Sequence, residues 1–422
     1  MPFSAPGAPH SIDSPDMGRA GRELLSLALI DARNHTLHLL SLYEQALGSP
    51  SLDVPRVEGI DPPVWLAGHI GWFAEWWIAR NTQRAFGADC PVRPTRLASI
   101  ESDADLWWNP SQADPAERWS PDMPDLAQTK AYLLETLEST LELLEHAAET
   151  DAGLYFYRLA LFHEDLRGEQ LVVMAQTLGL RLGVELPPSA VTREPLLLPP
   201  TTWTLGQPDA GFAFAQEQGR RRIDVPEFEI DAQPVTWSQF VEFVDDGGYD
   251  RAELWHPEGR DWLARQAEGR RGPRHVEQIG AAHAGTGGSV LQQHFGRTVR
   301  VAGNRSVVHV SWWEADAWAR WAGRRLATEV EWEIAAHTAA RRGFRWADVR
   351  EWTAGTLQPW EGFRPDPWSE GTEFDPRPAF GHARVLRGAS FATRARMRSP
   401  KHRGFALPER DDGFFGFRTC AI

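Results

Sequence analysis

VHVSWWEADAWARWAGRRLATEVEWEIAA, residues 308–336, decides the fold of the second half of this chain. Trp313, Ala317 and Trp321 recur every fourth residue and so share one face of a helix. Gly323 follows as the residue that leaves the helix, because a left-handed turn without a Cβ clash is open to glycine. Thr328 and Glu331 then stand three apart, the spacing at which a hydroxyl and a carboxylate cap the start of a new helix reciprocally. The stretch therefore predicts a helix over 311–322, a sharp corner, and a second helix beginning after Thr328.

Outward from this corner the pattern changes in both directions. Residues 202–422 otherwise read as short β-type runs cut by Gly, Pro and Asp, with one more helical stretch at 236–245, which is an α+β pattern. Residues 185–201, with Pro187, Pro188, Pro195, Pro199 and Pro200, read as a linker and domain boundary. Residues 18–184 read as helical. Leu24, Leu25, Leu27, Leu29 and Ile30 start the first helix; Asp61, Pro62 and Pro63 mark the start of a second running to Arg80; two more cover 124–150 and 152–182. Four such helices make a bundle. The Pro-, Asp- and Trp-rich insertion 90–123 is too long for a simple connection and is a candidate functional loop. At 422 residues the chain exceeds what one core usually holds, so two domains are expected.

Composition narrows the function classes. Hydrophobic residues make up 42% and charged residues 24%, the balance of a globular protein. The net charge of −14 and pI near 5.5 argue against nucleic-acid binding, which needs concentrated Lys and Arg. Only Cys90 and Cys420 are present, so neither a disulfide framework nor a cysteine zinc site can be assembled. Residues 1–17 lack the basic start and apolar run of a secretory signal and read as a loose tail, and no run approaches a membrane-spanning length. A cytoplasmic protein with no membrane partner is expected. Trp occurs 20 times against 5 Tyr. Trp faces bind organic cations best, although most tryptophans serve packing.

Specific resemblances sharpen this reading. Together with "EWTAG" at 351–355, "RVLRGASF" at 384–391 and "RDDGFFGFRT" at 410–419, the 308–336 corner resembles the sulfatase-modifying-factor (C-type-lectin-like) fold. Formylglycine generation on that fold needs a C-terminal cysteine pair, and Cys420 stands alone. In the N-terminal half, "PPVWLAGHIGWFAEWWI" at 62–78 resembles the DinB-like bundle of the ergothioneine and selenoneine synthases. The resemblance implies a non-haem Fe(II) centre. Its first ligand would be His69, and the "HxxxHxE" helix would correspond to "HEDLRGE", with His163 and Glu169 in place but Arg167 where the second histidine belongs. A guanidinium has no lone pair for a metal. Two outcomes stand open: His69 and His163 hold iron with a carboxylate such as Glu164 or Asp165, or Arg167 pairs with an acid or bound anion in a metal-free paralogue that binds a betaine without catalysis.

Details of the strings, "HEDLRGE" and "RGFALPERDDGFFGFR", are more similar to selenoneine synthases than to sulfoxide synthases. The implied chemistry is oxygen-dependent carbon–sulfur or carbon–selenium bond formation, with hercynine, a thiol or selenosugar donor, and dioxygen as small-molecule partners. Leu357 and Trp360 stand where sulfoxide synthases carry tyrosines. Candidate substrate-binding residues are Arg93, Arg96, Trp360, Arg398 and Asp412, with Arg387, Arg394 and Arg403 as further guanidiniums suited to carboxylates. Asp411 and Asp412 also suit salt bridges to Arg410 or Arg418.

Overall fold

Helices Arg22–Leu47, Pro63–Ala74, Leu126–Glu145 and Asp151–Leu178 form the N-terminal region, the first packing along the fourth and the second along the third. These come from a computed structural model that describes residues 9–112, 114–187, 191–207, 210–266, 269–280 and 289–422. Local sequence explains their ends. Asp125 and Gln128 cap the third helix reciprocally, and Thr150 accepts from the Gly153 amide at the start of the fourth, which stops at Gly179 in the left-handed region. Asp61 does not cap the second helix. It pairs instead with Arg118 at 2.6 Å, and Pro62 stands at the helix start.

The second helix does not run unbroken to Arg80. Its last turn, Glu75–Ala79, is widened so that the Arg80 amide reaches back to the Glu75 carbonyl at 2.9 Å. Such widened turns commonly accompany functional sites. The buried Glu75 carboxylate is held by Tyr132, Ser99 and the Ile100 amide. The insertion after Cys90 folds back onto this helix: Trp108 is buried against Tyr132, and a Cβ at Gly68 would lie 2.0 Å from the Trp108 indole nitrogen. Gly68 is thus the residue that lets this loop reach the helix bearing His69.

Beyond these helices, strands Leu196–Leu198, Phe228–Ile230, Thr419–Cys420 and Arg325–Leu326 form one four-stranded sheet in that order. Strands Arg403–Ala406, Arg384–Arg387, Arg350–Thr356 and Phe415–Phe417 form a second, with the last pair parallel. The 308–336 corner forms as read. Helix Trp312–Trp321 is followed by Gly323 at φ 63°, and Thr328 and Glu331 cap Glu329–Thr338 reciprocally. A second box, Ser311 with Glu314, opens the first of these helices.

Two expectations are corrected. Residues 196–198, read as linker, are a strand, because Leu196 and Leu198 share the buried face and Leu197 the exposed one; residues 188–190 lie outside the described part. The N-terminal segment is packed from residue 9 onward: Met17 is fully buried, and the Ile12 carbonyl accepts from Arg396. Residues 1–8 lie outside the described part.

The helical and sheet-bearing parts meet through buried ion pairs. Arg396 binds Asp165 at 2.6 Å and Asp31 at 2.7 Å, Arg350 binds Glu169 at 2.7 Å, and Ser390 adds a hydrogen bond to Glu169. Desolvated pairs of this kind do little for stability when complete, but losing one partner is costly. They fix the register of the Asp151–Leu178 helix against the second part.

Candidate functional site

His69 projects from the Pro63–Ala74 helix, and His163 and Arg167 project from one face of the Asp151–Leu178 helix, four residues apart. The imidazole of His69 lies between Trp65 and Trp72, with ring centres 5.3 and 5.5 Å away. Its Nδ1 faces the Trp108 carbonyl at 3.0 Å. A carbonyl only accepts, so Nδ1 carries the proton and Nε2 presents its lone pair. His163 stacks on Phe73 at 3.7 Å, and its ring centre is 5.3 Å from that of His69. The two rings singled out from the sequence thus lie next to each other.

What lies between them is Arg167. Its guanidinium donates to His163 Nε2 at 3.3 Å and to His69 Nε2 at 3.2 Å. The remaining donors go to Gln170 at 2.8 Å and to the carboxylate of Glu373, and Phe374 covers one face of the group. Burial first, and then the guanidinium charge, hold both imidazoles well below the usual histidine range and so neutral. Burial opposes ionisation of Glu373, yet the Arg167 charge overcomes it and keeps that carboxyl below its ordinary value.

This donor set does not fit a three-nitrogen iron centre. A metal there needs both Nε2 lone pairs, and both accept from a permanently protonated group that has none of its own to give. Among the described residues no three His, Cys, Asp or Glu side chains are gathered around a point where a metal could be held. The two carboxylates considered from the sequence are committed elsewhere: Glu164 to Arg33 and Thr36, and Asp165 to Arg396.

The candidate substrate residues occupy other places. Arg93 is exposed on the long loop. Arg96 lies over Trp76 and Trp77 and donates to the Trp76 carbonyl, which makes it part of the loop's packing. Trp360 is buried in a separate core under the Arg403 guanidinium, and Leu357 is buried as well. Arg398 donates to the Phe391 and Thr393 carbonyls, and Asp412 pairs with Arg410 at 2.6 Å. Asp411 meets Arg270 and Arg274, while Arg418 meets Glu351. Arg387, Arg394 and Arg403 are held by Glu333, Asp31 and Glu329. None of these groups touches the His69–His163–Arg167–Glu373 cluster. Sequence reasoning missed Glu373 and Gln170. Gln170 stands three residues after Arg167, a spacing that places it beside that side chain, whereas nothing local marks Glu373.

Residues 185–348 match the sulfatase-modifying factor enzyme 1-like domain. Hercynine oxygenase of Mycolicibacterium smegmatis is 29% identical, over 94% of this chain and 99% of its own length. Hercynine oxygenase of Mycobacterium tuberculosis is 28% identical over 94% of this chain and 98% of its own. The chain is thus similar to hercynine oxygenases over nearly its whole length. Formylglycine-generating enzyme of Streptomyces coelicolor, 35% identical, aligns with only 28% of this chain and 52% of its own length. The chain has just Cys90 and Cys420, both buried, and Cys420 lies against Glu331 rather than a second thiol. No helix among the described residues is long and apolar enough to cross a membrane.

Proposed function

We propose that this protein binds hercynine, or a closely related betaine of histidine, at the Arg167 centre without iron. The observation that carries the reading is the simultaneous donation of Arg167 to His69 and His163. In place of a redox metal the site holds a fixed cation between two neutral imidazoles. Such a centre recognises a carboxylate by charge-assisted hydrogen bonds. The ligand's carboxylate takes the position that Glu373 holds, and Phe374, Phe73 and Trp368, whose rings gather beside His163, offer faces to a quaternary ammonium. Similarity to proteins named for hercynine supports the ligand part of this proposal. Oxygen-dependent carbon–sulfur or carbon–selenium bond formation belongs to the iron-bearing alternative, which this donor set does not favour.

Calorimetric titration of chelator-treated protein with hercynine tests the reading. Saturable binding is expected without added metal. Histidine, which lacks the trimethylammonium group, should bind more weakly by roughly 2- to 30-fold, the range of a cation–π contribution. Arg167→Met should abolish binding. Binding that appears only on adding Fe(II), or turnover of hercynine with a thiol or selenol donor and oxygen, would overturn it.

A further inference from the structure

Past the C-terminal end of the Asp151–Leu178 helix is a cavity of about 590 Å³ that the Arg167 centre does not use. Arginines enter it from three separate segments. Arg181 follows the helix end, Arg297 and Arg300 come from the strand Arg297–Val301, and Arg305 comes from the loop behind it. The chain is strongly acidic, and its arginines characteristically meet carboxylates, as at Arg33, Arg350, Arg396 and Arg418. Arg181, Arg297 and Arg305 have no carboxylate within 4.0 Å among the described residues, although Glu185 lines the same wall. The Nε of Arg305 is enclosed by protein and makes no hydrogen bond. A buried donor left unmade is unfavourable, and like charges round one concavity repel.

The cavity is also built on fixed walls. Gln176, on the helix, donates to the Gln293 carbonyl at 2.9 Å and accepts from the Phe295 amide at 2.8 Å. His294 bonds the Val184 carbonyl at 3.1 Å. Gly296 lies so close to Gly179 that a Cβ there would stand 2.1 Å from the Gly179 carbonyl oxygen. Helix end and hairpin are therefore locked together, and the arginines project from a frame that need not rearrange when an anion arrives.

We propose that this cavity binds a phosphate-bearing small molecule. Guanidiniums contributed to one cavity by three chain segments suit a tetrahedral acceptor with oxygens on every side, whereas a lone carboxylate offers two oxygens in one plane to one fork. The site is distinct from the Arg167 centre, since the helix from Arg167 to Leu178 alone spans roughly 16 Å.

Titration of the full chain with inorganic phosphate, pyrophosphate and citrate at constant ionic strength tests this. Pyrophosphate is expected to bind saturably, and about tenfold more tightly than phosphate. Arg297→Gln and Arg181→Gln, both at exposed positions, should each weaken it by about tenfold while keeping the wild-type melting temperature without ligand. Arg167→Met should leave pyrophosphate binding unchanged, which separates this proposal from the betaine reading. No saturable binding, equal binding by the two arginine variants, or citrate binding as tightly as pyrophosphate would overturn the assignment.

Discussion

Arg387–Glu333 and Arg167–Glu373 are the same chemical pair in opposite settings. In the first, both side chains are fully shielded from water, and the carboxylate also takes Lys401 and the Trp203 indole, while the guanidinium adds the Pro400 carbonyl. In the second, the guanidinium is 7% exposed but the carboxylate 52%. The enclosed pair has no competitor and serves the architecture. The half-open pair exchanges its carboxylate with solvent at little cost, because an exposed partner gains only a small net stabilisation. Location relative to water, rather than residue type, separates a structural arginine from one that can bind a ligand.

Removing one partner of the enclosed pair is the strongest way to test that contrast. Glu333→Ala leaves Arg387 and Lys401 without their acid, and a loss of about 3–5 kcal/mol in urea unfolding is expected. A loss below about 1 kcal/mol would break the comparison from its structural side.

Asp366 sharpens it with a third setting. It stands at the start of the loop that carries Glu373 and is buried, with neutral donors only: Tyr155 at 3.0 Å, the Ala215 amide at 2.7 Å, and Gln218. Desolvation pushes this carboxyl up from 3.8 to about 7. The folded protein therefore holds a proton that the unfolded chain releases across that interval. Its contribution to stability is present in full below pH 4 and is lost as pH rises toward 7. Asp366→Asn mimics the protonated form. It should gain on the wild type by about 2 kcal/mol in unfolding free energy between pH 5 and pH 7. An equal difference at both pH values would show that the carboxyl titrates normally.

The smallest stability effect is expected at the half-open pair itself. Glu373→Gln should change unfolding free energy by less than about 1 kcal/mol. In the betaine reading it should also tighten hercynine binding in calorimetry, since the internal carboxylate no longer competes for Arg167. Weaker binding in this variant would make Glu373 a ligand contact rather than a placeholder.

The contrast also explains what the sequence could disclose. The 308–336 corner was legible because its determinants are local: spacing four, Gly323 and the Thr328–Glu331 cap all act within one or two turns. His69 and His163 were legible because each sits in a patterned helix and their resemblance carried a ligand assignment. Glu373 was not, since it reaches Arg167 across 206 residues from an irregular loop. For the same reason Arg387 and Arg403 read as ligand-binding groups. Their acids, Glu333 and Glu329, lie 54 and 74 residues away, and no local pattern states which guanidinium folding will enclose. Trp360 misled similarly, because burial in the second core follows from long-range packing.

The central claim is that Arg167 takes the place of a metal between His69 and His163. Metal quantification by mass spectrometry on wild-type protein and Arg167→His, both purified from iron-replete culture, tests it most directly. Substoichiometric iron in the wild type, with stoichiometric uptake in Arg167→His that His69→Ala removes, is the predicted result. Stoichiometric iron in the wild type, lost on His69→Ala, would contradict it.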